Sequence, residues 1–205
     1  MRIIAFVLML AVSAATAGKY DKVKITPSMA YIYVYHKGKA VKVHRIQDTK
    51  HKLTGDFAKT YRPGKDIQPI KMHKDIATIG EVELLKFMVN KGNKKKGLVV
   101  DLRPKKEYRK ESIPSAVNIP AEIKDNKTKV EKILKILGAK RASDGSLDTS
   151  RAMTVAFYCN GLWCDKSSEF IKTFLDLGYP ADKMLYYRGG MQMWKILGFT
   201  TVTNK

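Results

Sequence analysis

Phe157-Tyr158-Cys159-Asn160-Gly161-Leu162-Trp163-Cys164-Asp165-Lys166-Ser167 is the stretch on which the reading of this chain turns. The apolar run from Thr154 to Tyr158 has the length and composition of a buried strand, and it ends in a cysteine. A short loop containing Gly161 follows, and a helical pattern begins near Ser167. Strand, loop and helix in that order put a thiol at a strand end, facing backbone N–H groups and a helix N-terminus. Such groups favour a thiolate and cradle an anion. Both cysteines of the chain lie in this one loop, so chemistry is expected here before anywhere else.

The segments on either side of the loop alternate between strand and helix patterns. Thr78-Ile79-Gly80-Glu81 matches a capping box, and Val82, Leu84, Leu85, Met88 and Val89 continue it at helical spacing. Gly92 and Lys94-Lys95-Lys96 end that helix, and Gly97 to Asp101 reads as a short buried strand. Val130, Ile133, Leu134 and Leu137 predict another helix, with Gly138 suited to its C-terminal cap. Residues 139–150 are polar and read as a surface loop. After the 154–158 strand come a helix over 167–177, a strand at Met184 to Tyr187 and a last helix near Met191 to Leu197. Alternation of this kind implies an α/β fold, an open parallel sheet with helices on both faces.

Residues 18–73 read differently, as a small β-rich module. Ala30 to His36 is a strong strand signal, Lys37-Gly38-Lys39 a turn, and Ala40 to Ile46 a returning strand. Tyr31, Tyr33 and Tyr35 share one face of this hairpin, and Ile32 and Val34 the other. The tyrosine stripe is expected to be a half-buried sheet face, and the hairpin needs a neighbour to pack on. Arg62-Pro63-Gly64-Lys65 reads as a type II turn. All four histidines, His36, His44, His51 and His73, lie in this module. They are taken as surface or hairpin residues, since none stands at metal-ligand spacing with a cysteine. No metal site is expected.

Arg2, the apolar run Ile3 to Val12 and Ala15-Thr16-Ala17 have the layout of a secretory leader over residues 1–17. The expected setting is therefore periplasmic or otherwise secreted, with no later segment able to span a membrane. The 205 residues carry 39 Lys and Arg against 19 Asp and Glu. Residues 18–73 hold 13 against 4, and residues 74–205 hold 25 against 15, so the first segment is denser in positive charge. That excess attracts anions, and an acidic protein partner for residues 18–73 is one expectation. Nucleic acid is not expected in an exported chain without a recognisable binding motif. A disulfide between Cys159 and Cys164 would close so short a loop that it removes little unfolded-state entropy. A purely structural staple is a weak explanation for the pair.

Three ordered motifs carry a family likeness. Val99-Val100-Asp101-Leu102-Arg103-Pro104, continuing to Ile113-Pro114-Ser115-Ala116-Val117-Asn118-Ile119-Pro120, resembles the N-terminal signature of rhodanese-like sulfurtransferase domains. Gly189-Gly190-Met191-Gln192-Met193-Trp194 with Leu197-Gly198-Phe199 resembles their C-terminal signature. Cys159 falls where the family has its catalytic cysteine. The likeness covers roughly residues 74–202 and assigns 74–205 to such a domain, of an exported bacterial type. It implies that Cys159 takes a sulfane sulfur from a small anionic donor such as thiosulfate, holds it as a persulfide and passes it to a thiophilic acceptor. No cofactor is implied. Asp101 and Arg103 are implied to hold the sheet end and the loop in place, not to do chemistry. The chain departs from the pattern in a longer loop, with Lys166 seven positions after Cys159, in Glu111-Ser112 where Gly-His is common, and in Cys164 within the loop.

The residues allow the following division of roles. The loop residues Asn160, Gly161, Leu162, Trp163, Asp165, Lys166 and Ser167 would bind substrate. Their amides and the Lys166 charge would favour the thiolate, since residues 74–205 contain no histidine to act as a base. Lys166 and Arg188 are candidates for holding a sulfonate, Trp163 for covering the site, and Trp194 for the core. Cys164 opens another reading, a resolving thiol that makes the chain a thiol-redox protein. A third is a non-catalytic binding module with the basic hairpin as its docking surface.

Overall fold

Side chains that alternate along a strand must find two apolar neighbours, one on each face, and this sheet supplies both. The computed structural model describes residues 22–205. The leader expected over residues 1–17 lies outside the described residues. Among the described residues no helix is long and apolar enough to cross a membrane.

The chain opens with an antiparallel hairpin of β1 (Tyr31–His36) and β2 (Lys39–His44). Lys37 and Gly38 both take positive φ in its two-residue turn, the form that matches strand twist. A turn of 3₁₀ helix at Gly55–Ala58 and an extended segment lead to β3 (Ala77–Thr78). Then come α1 (Glu81–Phe87), which runs into a π-turn over Met88–Gly92, β4 (Gly97–Asp101), α2 (Lys105–Lys110) and β5 (Ala116–Asn118). The N-terminus of α3 (Lys127–Ile136) is capped by Asn126, whose side chain accepts from Lys129 N at 3.0 Å. β6 (Lys140–Arg141) and β7 (Leu147–Asp148) follow, then β8 (Thr154–Tyr158), α4 (Lys166–Asp176), β9 (Met184–Tyr186) and α5 (Gly190–Ile196).

β3, β9, β8, β4 and β5 form one parallel sheet in that spatial order. Val155 and Phe157 of β8 enter one core with α3 and α4, through Ile133, Leu134, Phe170 and Phe174. Ala156 and Tyr158 enter the other with α1 and α5, through Leu84, Leu85, Met191 and Trp194. Ile32, Val34 and Val43 of the hairpin complete that second core. The α/β reading, with helices on both faces and a small β-rich N-terminal hairpin, holds. From β4 the chain moves outward to β5, and from β8 outward to β9 on the other side. The adjacent ends of β4 and β8 are therefore a topological switch point, where open parallel sheets leave a crevice.

Three local expectations are corrected. Thr78 does not cap α1: it is in β3, its hydroxyl donates to the Ile70 carbonyl, and the N-cap is Gly80. Pairing with β9 claims the Thr78 backbone before the helix can. Residues 139–150 carry the small antiparallel pair β6–β7 in place of a plain loop. The tyrosine stripe faces outward, with Tyr31, Tyr33 and Tyr35 47%, 55% and 61% exposed, because Ile32 and Val34 take the buried face. His36 is a hairpin residue, as expected, and shares that buried face: its Nδ1 accepts from Ser115 N at 3.1 Å, and its Nε2 lies 2.7 Å from Asn204 Oδ1.

Candidate active site

Cys159 follows directly on β8 and stands beside the end of β4, at the switch point. Its backbone is pinned from α5. Met191 N donates to Cys159 O at 3.1 Å, and Gln192 N donates to Asn160 O at 2.8 Å. This contact requires glycine at 190, where φ is +55° and an added Cβ would collide with the Cys159 carbonyl. The Gly189-Gly190 pair thus lets the start of α5 press against the cysteine loop.

The loop turns back on itself, with Cys164 N donating to Gly161 O at 2.9 Å. The turn sets the two cysteine Cα atoms 6.2 Å apart, and Cys159 and Cys164 are joined in a disulfide. Both are buried, 3% and 7% exposed. Asp165 is the N-cap residue of α4, and its carbonyl accepts from Ser168 Oγ at 2.7 Å. Ser167, in the first turn, has a buried hydroxyl with no partner among the described residues.

The neighbouring corner is a network of buried side chains. Arg103 donates to Asp101 through its backbone N (2.9 Å) and Nε (3.0 Å) at Oδ1, and through Nη2 at Oδ2 (2.7 Å). Tyr158 Oη also donates to Asp101 Oδ2 at 2.7 Å and accepts from Ile113 N at 3.2 Å. Asn118 ties the ends together by donating to the carbonyls of Asp101 and Arg103, each at 2.9 Å. Burial alone would lower the Arg103 pKa, but the hydrogen bonds and charge of Asp101 outweigh it and the net shift is upward. Burial, and then the Asp101 charge, push the Tyr158 phenol well above its ordinary value. Both groups thus keep one protonation state, which suits a brace and not an acid or base.

The two cations proposed for a sulfonate are engaged elsewhere. Lys166 Nζ pairs with Glu122 Oε1 at 2.5 Å. Arg188 donates through Nε (2.8 Å) and Nη2 to the Gln68 carbonyl. The charge at the loop belongs to a residue read from sequence only as part of a turn. Arg62 sits over Trp163, its guanidinium carbon 3.6 Å from the ring centroid, and donates to the Asp56 carbonyl. Gln68 continues this strap over the loop. Its N–H donates to Leu162 O at 2.8 Å, and its side-chain oxygen lies 3.1 Å from Ser168 Oγ. Gln192 Nε2 closes the other side on Phe57 O at 2.9 Å. Between strap and sheet end lies a cleft of about 300 Å³, bordered by Arg62, Trp163, Asn160, Arg103, Phe57 and Lys195 among others.

The stretch that carries the strand-end cysteine, the Gly-Gly helix start and the Asp–Arg brace is matched by a known family. The model of the rhodanese-like domain matches residues 81–197. The chain belongs to the rhodanese-like domain family. The match includes the brace, the cysteine loop and α5, and leaves out the hairpin and the strap. Among solved structures, a Bacillus halodurans protein shares 22% identity over 62% of this chain and 77% of its own, with a TM-score of 0.44. A rhodanese-related protein of Thermoplasma volcanium shares 22% identity over 62% and 97%, with a TM-score of 0.42. A thiosulfate sulfurtransferase of Pseudomonas aeruginosa shares 16% identity over 66% and 22%, with a TM-score of 0.46. A search of curated proteins gives no match.

Proposed function

We propose that this rhodanese-like protein is a sulfurtransferase that carries sulfane sulfur on Cys159. The observation that supports this most is the seat of Cys159, at the end of β8 on the switch point and pinned by the α5 amides. The reduced Cys159 thiolate attacks the outer sulfur of a small anionic donor of the thiosulfate type. A sulfur–sulfur bond forms to Cys159, the donor's own sulfur–sulfur bond breaks, and sulfite leaves with its electron pair. The persulfide then passes its sulfur to a thiophilic acceptor. Loop amides and Arg62 supply positive potential for the donor in place of Lys166 and Arg188. With the leader read in residues 1–17, the work is done in the periplasm or outside the cell, and the basic residues 18–73 face acidic partners there.

The disulfide supports a second reading, a thiol-redox protein that exchanges electrons through Cys159 and Cys164. Sulfite release separates the two. Pre-reduced, desalted protein mixed with thiosulfate is expected to release sulfite in proportion to protein, and Cys159→Ser to release none. Dithiol exchange without any sulfite from thiosulfate would favour the redox reading. Partner binding with neither would leave a non-catalytic module.

A further inference from the structure

The disulfide, the burial of the loop and the strap across it bear on where the sulfur goes next. A persulfide on Cys159 would sit beneath a loop that is almost closed to solvent: Cys159 is 3% exposed. The loop that follows it is itself tied down: Arg62 sits over Trp163, and Gln68 N donates to the Leu162 carbonyl. Neither cysteine borders the cleft that opens beside the loop. A bulky thiol from solution would have to displace the strap to reach the inner sulfur. Cys164 needs no such movement. The turn closed by Cys164 N on Gly161 O brings its sulfur within bonding distance of Cys159. A group held in reach acts at an effective concentration far above that of any dissolved thiol.

Resting on the sulfurtransferase reading above, the geometry points to Cys164 as the thiol that resolves the Cys159 persulfide, with hydrogen sulfide as the product that leaves. Sulfur loading gives Cys159 a persulfide and releases sulfite. The Cys164 sulfur then attacks Sγ of Cys159. The bond between the two cysteines forms, and the bond to the outer sulfur breaks. That sulfur departs as HS⁻, taking the bonding pair and the proton from the Cys164 thiol. The sulfane sulfur is reduced by two electrons and the two thiols are oxidised to the disulfide. A dithiol reductant from outside the chain reopens the disulfide by exchange, becoming oxidised itself, and returns the loop to its loading state. The disulfide is on this account a stage of the turnover, and the reaction that must precede each new cycle is a thiol–disulfide exchange. The strap makes the internal step the faster one, since a dissolved thiol must first displace it, whereas Cys164 already lies beneath the same cover.

The test is a single turnover of pre-reduced, desalted full-length protein with excess thiosulfate and no added thiol, following sulfite, sulfide and intact mass together. Wild type is expected to release one sulfite and one sulfide per chain and to end two hydrogens lighter than the reduced form, without an added sulfur. Cys164→Ser, and Cys164→Ala as a second variant, are expected to release one sulfite, lose the sulfide and keep one added sulfur until a thiol is supplied. Sulfite from wild type with a stable one-sulfur adduct and no sulfide would overturn the role of Cys164 while leaving sulfur transfer by Cys159 intact. Equal sulfide release from the Cys164 variants would do the same. No sulfite from any form would overturn both readings.

Discussion

Two neighbouring corners of one sheet edge are fixed in opposite ways. At the end of β4, Asp101 and Arg103, joined by Tyr158 from β8, are held by their own side chains, buried and bonded at 2.7–3.2 Å. At the end of β8 the cysteine loop is held by its backbone, through α5 on one side and the strap on the other. Side chains that brace are committed and cannot take part in a reaction. Backbone anchoring fixes the loop without engaging the sulfurs of Cys159 and Cys164, which bond to each other. The difference teaches why this site keeps its charged network one strand away from its reactive sulfur.

The largest effect expected from breaking this contrast is at the brace. Arg103→Ala strands the Asp101 carboxylate in the core without its partner, and losing one partner of a buried pair costs about 3–5 kcal/mol. Urea melts should show that loss. Gly190→Ala comes next, with a cost of about 2 kcal/mol for the left-handed backbone and the collision with the Cys159 carbonyl. Its melt should fall less than that of Arg103→Ala, but its sulfite release from thiosulfate should be nearly lost, because the collision displaces the reactive residue itself. Equal activity in Gly190→Ala would show that the loop does not depend on α5.

Arg62→Ala removes a cation from the Trp163 face and should cost less than about 1 kcal/mol. Its effect should appear at the loop: reduced Cys159 should react faster with a bulky alkylating reagent once the strap loosens. An unchanged alkylation rate would mean that the strap does not shield the thiol.

The smallest effect is a dependence on pH where the hairpin meets the domain. Ser115 N–H donates to His36 Nδ1, so the ring proton is on Nε2, facing Asn204 Oδ1. A second proton at Nδ1 would face that N–H. Burial lowers the His36 pKa below 6.5, the Asn204 hydrogen bond opposes this, and the Lys37 charge adds to it. The unfolded chain therefore takes up a proton at higher pH than the folded one. Stability from neutral His36 is complete above 6.5 and falls as pH drops through that value toward the lowered folded one. Urea melts at about pH 7.5 and about pH 5 should show the decline, and His36→Gln should reduce the slope.

The same contrast marks what the sequence discloses. Continuous apolar runs such as Thr154 to Tyr158 are legible because a strand buried on both faces tolerates few polar residues. Gly189-Gly190 is legible as a motif, and its reason lies in the Cys159 carbonyl. The strap is not legible. Gln68 meets Leu162 and Arg62 meets Trp163 across about ninety-five to a hundred residues of chain, and extended backbone has no period to announce a distant partner. The hairpin shows a milder form of this. With tyrosines on one face and Ile32 and Val34 on the other, both faces are apolar enough to be buried, and only the neighbouring core decides. Lys166 shows the reverse: its place near the loop is visible in the sequence, but Glu122, which engages it, is not.

The measurement that tests the central claim most directly is the intact mass of pre-reduced Cys164→Ser protein after incubation with thiosulfate, beside the Cys159→Ser/Cys164→Ser double variant. The account predicts a one-sulfur adduct in the single variant that cyanide removes, and none in the double. The same adduct in both, or in neither, would contradict a sulfur carried on Cys159.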